Sequence, residues 1–145
     1  MKRLLLPMAL IFALHAPASA QPAATVDCAS QGDPLLCKVT IAKPASGDLC
    51  KAPLPDKVIL GPRTLRLRWV VDGDRQELRF RRNGREGVVY RNGGDAFSAE
   101  LGDPDTNWHT RRKVRTGKVD AEAVVNLVAN GANCPEAGPV AVIRD

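Results

Sequence analysis

Apolar and polar residues alternate along much of the chain after residue 34, which is typical of β-strands with one buried face. The clearest segment is 65–71, in which leucine, tryptophan and valine at the odd positions alternate with Arg66 and Arg68. A second clear segment is 35–41, where Leu, Cys, Val and Ile share one face. The same pattern predicts further strands at 58–60, 77–81, 87–90 and, as an edge strand, 139–143.

The sequence Asp-Gly-Asp at 72–74 separates two alternating segments and is a tight-turn signal. A two-residue turn there predicts a hairpin between the segments on either side. Pattern and turn agree, because this register puts the large apolar residues of both strands on one face: Leu65, Leu67, Leu78 and Phe80. The same register sets Arg68 opposite Glu77 and Arg66 opposite Arg79.

Residues 119–130 fit two periods. The odd positions from Val119 to Ala129 are all apolar, and the valines favour a strand. Several apolar residues also have helical spacing, and Gly131 would end a helix. We interpret the segment as a strand and keep a helix over 120–130 as the alternative.

Short strands separated by turns rich in Gly, Asn and Pro, with no internal repeat, predict an all-β domain. We interpret residues 35–145 as one domain, a single antiparallel β-sandwich, after an irregular lead-in at 21–34. Residues 102–115 resemble a long loop with one short strand at most. Trp69 lies on an apolar face and is expected to be buried between the two sheets.

Residues 1–20 have the three parts of a secretory signal peptide. A basic start is followed by an apolar run at 4–14 and by Ala18 and Ala20, the small residues expected before a cleavage site. The apolar run is too short for a membrane-spanning helix, which needs about 20 residues. We therefore predict cleavage after Ala20 and a periplasmic or secreted product that does not span a membrane.

Cleavage would leave 125 of the 145 residues, enough for one domain with its own core. It would remove Lys2 and Arg3 and no acid, so the formal net charge falls from +5 to +3. This mild charge, together with an aromatic content of 4%, argues against specific nucleic-acid binding.

The cysteines all follow the predicted cleavage site: Cys28, Cys37, Cys50 and Cys134. An even number in an oxidising compartment predicts two structural disulfides, and sequence alone leaves three connectivities open. We prefer Cys28–Cys37, which closes a short loop, together with Cys50–Cys134, which joins the early chain to the late chain. The spacings of 9, 13 and 84 residues do not match a zinc site.

Five stretches have a recognisable order. They are an apolar run at 58–60, a strand ending in Trp69, a strand containing Phe80, Gly-Val-Val at 87–89 and the tail Pro-Val-Ala-Val-Ile-Arg-Asp at 139–145. In this order they resemble small secreted bacterial proteins with a cupredoxin-like or immunoglobulin-like β-sandwich. The resemblance implies a fold and no particular activity.

Residues suited to catalysis or metal binding are sparse. A blue-copper centre needs two histidines, a cysteine and usually a methionine. After the predicted cleavage site His109 is the only histidine, and no methionine remains. His109 lies in a polar stretch without a nucleophile motif, and acidic pairs such as Asp103 and Asp105 are typical of turns. We therefore predict a protein that is not an enzyme, with no catalytic residue, metal or cofactor.

Basic residues carry the remaining functional hypothesis. Positions expected to lie on or near the predicted hairpin form a candidate patch for an anion or a partner: Arg66, Arg79, Arg81, Arg111, Arg112 and Lys113. Such a patch suits an anionic glycan, the phosphates of lipopolysaccharide or an acidic envelope protein. Acids expected nearby, including Glu77, Glu86 and Asp95, make an ordinary solvated face the alternative.

The sequence thus favours a secreted binding or accessory module of unknown partner. The alternative function is inhibition of a periplasmic enzyme, with residues 102–116 presented to the active site of the target. An enzyme would instead need a cleft that combines His109 with a carboxylate.

The signal-peptide assignment predicts that the exported protein begins at Gln21, because the small residues before that position direct the cut. N-terminal sequencing of the exported protein tests this directly. A sequence that starts at Met1 would contradict the assignment.

Overall fold

Strands dominate the structure, a computed structural model that describes residues 25–74, 76–81, 86–99 and 109–145. The all-β prediction is confirmed, and the predicted signal peptide at 1–20 lies outside the described residues. No helix among the described residues is long and apolar enough to cross a membrane. The strands are β1 Thr25–Asp27, β2 Leu36–Ala42, β3 Lys57–Ile59, β4 Arg66–Asp72, β5 Leu78–Phe80, β6 Val88–Arg91, β7 Phe97–Ala99, β8 His109–Val114, β9 Val119–Val125, β10 Leu127–Ala129, β11 Ala132–Asn133 and β12 Val140–Arg144.

These strands form three sheets. The five-stranded sheet has the order β1-β3-β12-β9-β6, the four-stranded sheet β2-β4-β8-β7 and the three-stranded sheet β11-β10-β5. The expectation of purely antiparallel pairing is wrong at three places, because β1–β3, β3–β12 and β2–β4 are parallel. Parallel neighbours need a crossover connection, and the chain makes one by adding β3 to the five-stranded sheet between β2 and β4.

Both ends of the described chain join the five-stranded sheet. The lead-in predicted to be irregular contains β1 and a 3₁₀ turn at Cys28–Ser30. The last strand, β12, lies between β3 and β9 and is therefore not the edge strand that the sequence predicts. Its apolar positions Val140 and Val142 are almost fully buried, so this strand forms part of the core.

The hairpin predicted between β4 and β5 does not form. β4 pairs with β2 and β8, and β5 pairs with β10 in the three-stranded sheet. After β4 the chain turns through a longer connection, in which the Asp74 carbonyl accepts the Leu78 N–H at 3.1 Å. Leu67, Leu78 and Phe80 are fully buried as predicted, whereas Leu65 is 39% exposed. Alternation therefore identified most inward residues but not the strands beside them.

Residues 119–129 are extended, which confirms the strand interpretation over the helix. β9 belongs to the five-stranded sheet and β10 to the three-stranded sheet. Asn126 lies at the change of sheet, where its N–H donates to the Gly87 carbonyl at 2.7 Å and its carbonyl accepts the Arg81 N–H at 3.0 Å. Its side-chain amide donates to the Glu86 carbonyl at 2.8 Å, so one residue connects both sheets to the segment that follows β5.

One cluster of buried residues includes members of all three sheets. Trp69 on β4 is fully buried, as predicted, and its indole N–H donates to the Tyr90 hydroxyl on β6 at 3.1 Å. The inward sides of the four-stranded and five-stranded sheets therefore meet at this pair. The sandwich arrangement itself, and its immunoglobulin-like or cupredoxin-like type, stay predictions.

The preferred disulfide connectivity is confirmed. Cys28 bonds to Cys37 with the sulfur atoms 2.03 Å apart, and Cys50 bonds to Cys134 at 2.10 Å. The first bond attaches the 3₁₀ turn after β1 to β2. The second joins the 3₁₀ turn Leu49–Lys51 to the segment after β11, so it links two parts of the chain that are 84 residues apart.

Arg144, at the end of β12, is a buried cation held by backbone carbonyls. Its Nε donates to the Gly117 carbonyl at 2.7 Å. One terminal nitrogen donates to the carbonyls of Gly61 at 3.1 Å and Thr64 at 2.7 Å, and the other to that of Arg115. Burial lowers the pKa of this guanidinium. The side chain thus connects the loop before β4 to the turn before β9.

The edge of β2 that faces away from β4 is capped by a side chain. The side-chain amide of Gln31 donates to the Lys38 carbonyl and accepts the Lys38 N–H, both at 2.8 Å. A single side chain thereby satisfies the two backbone groups of Lys38 that point away from β4. The Cys28–Cys37 bond keeps this segment beside the strand.

We expect Arg144→Met to lower the free energy of unfolding by about 2–4 kcal/mol, because buried carbonyls would lose a charged donor. Urea unfolding measures the change. Arg63→Met is the matched control, since Arg63 is exposed in the loop that Arg144 holds. Equal effects of the two substitutions would contradict the role given to Arg144.

Candidate functional site: a basic sheet face

The four-stranded sheet carries a cluster of basic side chains on its outward surface. The registers place Lys38 of β2 beside Arg68 of β4, and Arg68 opposite Arg111 of β8. Two residues away along β4, Arg66 lies opposite Lys113 of β8. Residues paired across neighbouring strands share one face of a sheet. These five residues therefore project from one surface, which we call the basic face.

Burial of the intervening residues fixes the direction of these cations. Cys37 and Val39 on β2, Leu67 and Trp69 on β4, and Thr110 on β8 are each exposed by 1% or less. Successive side chains of a strand point to opposite faces. The residues that alternate with the buried ones must therefore point outward, and they include the five cations of the basic face.

The two basic pairs of β4 and β8 occupy the closer type of antiparallel position. The Val114 N–H donates to the Leu65 carbonyl at 2.8 Å, which makes Leu65 and Val114 a hydrogen-bonded pair. Pair types alternate along an antiparallel ladder, so both basic pairs fall at non-hydrogen-bonded positions, where Cα atoms are about 4.5 Å apart. Like charges directly opposite one another are destabilising. Each basic pair therefore brings two positive side chains close together.

The basic face has a partly buried centre and an exposed rim. Arg68 and Arg111 are partly buried, whereas Lys38, Arg66 and Lys113 are exposed. The Nε of Arg68 is buried without a hydrogen-bond partner. Buried polar atoms are nearly always hydrogen-bonded, and an anion on this face would supply a partner for this one.

Few acids stand at the outward positions of these strands. Within the described part of β2, β4 and β8, the one acid at such a position is Asp72. It ends β4, about 13 Å along the strand from the nearest arginine of the face. Of the acids that the sequence suggested as neutralising partners, Glu77 forms an ion pair with Lys43, and Asp95 forms one with Arg115 at the border of a depression that Lys113 also lines. The rejected hairpin had placed Glu77 opposite Arg68.

The structure divides the six residues of the predicted patch. Arg66, Arg111 and Lys113 lie together on the basic face. Arg112 is on the same strand but opposite the buried Leu67, so it points to the other side of the sheet. There it borders a shallow depression with Tyr90 and Phe97, whose rings are stacked with centroids 4.0 Å apart.

Arg79 and Arg81 are separated from the basic face altogether. Arg79 belongs to β5 and pairs with Val128 of β10 in the three-stranded sheet. Both arginines border a different depression, together with Glu86 and Asn133. The expectation that they share a face with Arg66 depended on the hairpin that does not form.

Sequence reasoning missed two members of the basic face, Lys38 and Arg68. The alternation of β2 and β4 already places both outward. No local signal shows that β2 lies parallel to β4, because the two strands are joined through a strand of another sheet. The sequence therefore indicated the outward direction of these two side chains but not which strands lie next to each other.

Residues considered for catalysis or inhibition are placed differently from expectation. His109, expected in a polar loop, begins β8 and pairs with Val70. Residues 109–114 form a strand between β4 and β7, so this half of the predicted inhibitory loop does not protrude. The other half, 102–108, lies outside the described residues. No group of three or more His, Cys, Asp or Glu among the described residues is arranged to hold a metal ion.

Comparison of the chain with protein-family models, with curated proteins and with solved structures finds no match.

Removing one rim charge should stabilise the fold. We expect Lys113→Gln to raise the free energy of unfolding by about 0.2–1 kcal/mol at low salt, because Arg66 lies directly opposite. The gain should shrink near 1 M salt, where the screening length is about 3 Å. Urea unfolding at both salt concentrations measures it.

Lys57→Gln is the matched control for this substitution. Lys57 is also an exposed strand lysine, but its neighbours across the sheet are Thr25 and Ala141. Its replacement should leave the salt dependence of stability unchanged. An equal response of both variants would show that the opposed charges of the basic face carry no energetic cost.

Proposed function

We propose that this protein is a secreted, non-enzymatic binding module that holds an anionic glycan on the basic face. The observation that carries the proposal is the alignment of five cations from three adjacent strands on one surface. A surface that concentrates positive charge in this way attracts ligands of opposite charge.

Two features support a location outside the cytoplasm. The first twenty residues have the parts of a signal peptide. Both pairs of cysteines are at bonding distance, with no free cysteine among the described residues. Stable disulfides belong to oxidising compartments, so the periplasm or the medium is the expected place of action.

The shape and composition of the face favour a linear polyanion. The strands that carry the cations are about 4.8 Å apart, and successive outward positions along one strand are about 6.7 Å apart. An extended chain lying across the strands would meet three cations in the row formed by Lys38, Arg68 and Arg111. Cations at such regular spacings suit a polymer with repeated negative charges better than one small molecule.

Other classes of partner fit less well. Protein interfaces are enriched in aromatic residues and arginine and depleted of lysine, whereas this face carries Lys38 and Lys113 beside its arginines. Binding of single-stranded nucleic acid relies on aromatic side chains for base stacking. Of the aromatic residues that the structure describes, Trp69 and Phe80 are buried and Tyr90 stacks on Phe97, so none stands among these cations.

Heparin affinity chromatography tests the proposal with a sulfated linear glycan. The protein should stay bound at physiological ionic strength, and Arg66→Ala combined with Lys113→Ala should move elution to clearly lower salt. Arg79→Ala combined with Arg81→Ala is the matched control, since it removes the same charge from another sheet. That control should elute close to the native protein.

Three results would overturn the proposal. They are elution of the native protein below about 0.15 M salt, equal shifts for the two double variants, and release from heparin by polyglutamate but not by dextran sulfate. The last result would identify an acidic protein as the partner. Release by lipopolysaccharide at lower concentrations than dextran sulfate would support the proposal and identify a phosphorylated glycan as the source of the anion.

A further inference from the structure

The centre of the basic face differs chemically from its rim. Arg68 and Arg111 face each other across β4 and β8, and both are partly buried. The buried Nε of Arg68 has no hydrogen-bond partner. Lys38, Arg66 and Lys113 surround this pair and are exposed. The least hydrated position of the face is therefore occupied by two guanidinium groups on adjacent strands.

Guanidinium geometry decides which anion suits such a pair. Each arginine presents a planar fork of N–H donors and cannot accept a hydrogen bond. A carboxylate has two oxygens in one plane, and one coplanar fork engages both of them, which leaves only in-plane positions for a second fork. A sulfate or phosphate ester has three terminal oxygens that point in different directions, so it accepts from two forks at once. Two arginines that lie opposite each other on adjacent strands thus suit a tetrahedral oxyanion.

We infer that Arg68 and Arg111 form a site for one sulfate or phosphate ester group, which gives the basic face a preference for esterified glycans over glycans with carboxylates alone. This inference rests on the proposed function, because it identifies the group that the same face selects. The exposed rim cations attract any anionic glycan by their charge. The central pair of arginines selects the anionic group by its shape.

Substitution of lysine for arginine separates shape from charge. Arg68→Lys keeps the positive charge and removes the fork. We expect its affinity for a sulfated heparin oligosaccharide to fall by about three- to tenfold, and its affinity for unsulfated oligogalacturonate to change less than about twofold. Titration calorimetry measures both, and Arg111→Lys should behave in the same way. Urea unfolding verifies that each variant is folded.

Arg79→Lys is the matched control, because it makes the same chemical change on another sheet, away from the basic face. Its affinities for both oligosaccharides should change less than about twofold. Inorganic sulfate and acetate, added at equal ionic strength, test the anion alone. Sulfate should shift the side-chain Nε–Hε signals of Arg68 and Arg111 in a saturable way, and acetate should not. The signals of Arg79 and Arg81 should respond to neither anion.

The possible outcomes distinguish this inference from the proposed function. If the native protein binds heparin through the basic face but Arg68→Lys leaves both affinities unchanged or weakens binding of both oligosaccharides equally, the central site is wrong and the charge-based function stands. If the native protein fails to bind heparin, both fail. Equal saturable responses to sulfate and acetate would also overturn the preference for a tetrahedral anion.

Discussion

The inward burial of β4 is the constraint on which the basic face depends. Leu67, Trp69 and Val71 point into the core, and Trp69 is further fixed by its hydrogen bond to Tyr90 on the five-stranded sheet. A slip of one residue would exchange the two faces of the strand and carry its arginines into the core. The energy that buries Trp69 therefore also sets the outward direction of the arginines on β4. In this protein the hydrophobic core and the surface charge pattern have a single origin.

The sequence predicts what is local and misses what is distant. Alternation located β2 and β4 to within a residue or two, and it showed that Leu78 and Phe80 are buried. Cysteine counting with loop length led to the correct disulfides. The neighbours of each strand were beyond such reasoning, because a strand with one apolar side can pair with many others. The Asp-Gly-Asp turn signal was outweighed once β4 had both its edges occupied by β2 and β8, and two of the six residues of the predicted patch, Arg79 and Arg81, went with β5 to another part of the molecule.

Like charges lie opposite each other on the basic face, so other parts of the molecule must supply the stability of the fold. The loop-entropy model assigns roughly 3 kcal/mol to the shorter disulfide and roughly 4–5 kcal/mol to the longer one. Arg144 adds a different kind of constraint, since it connects chain segments that are distant in sequence through their backbone carbonyls. These crosslinks act away from the outward side of the four-stranded sheet. They therefore stabilise the fold without using the side chains of the basic face.

The contact between Gln31 and Lys38 has a consequence for how the molecule behaves in a crowded compartment. An open strand edge is a template on which another chain can add a strand. At Lys38 both backbone groups that such a chain would use are already occupied by one side-chain amide, and the positive charge of Lys38 adds a second deterrent. The amide imitates a missing neighbour strand at a single point, and thereby protects the surface that displays the cations from being extended into an oligomeric or fibrillar sheet.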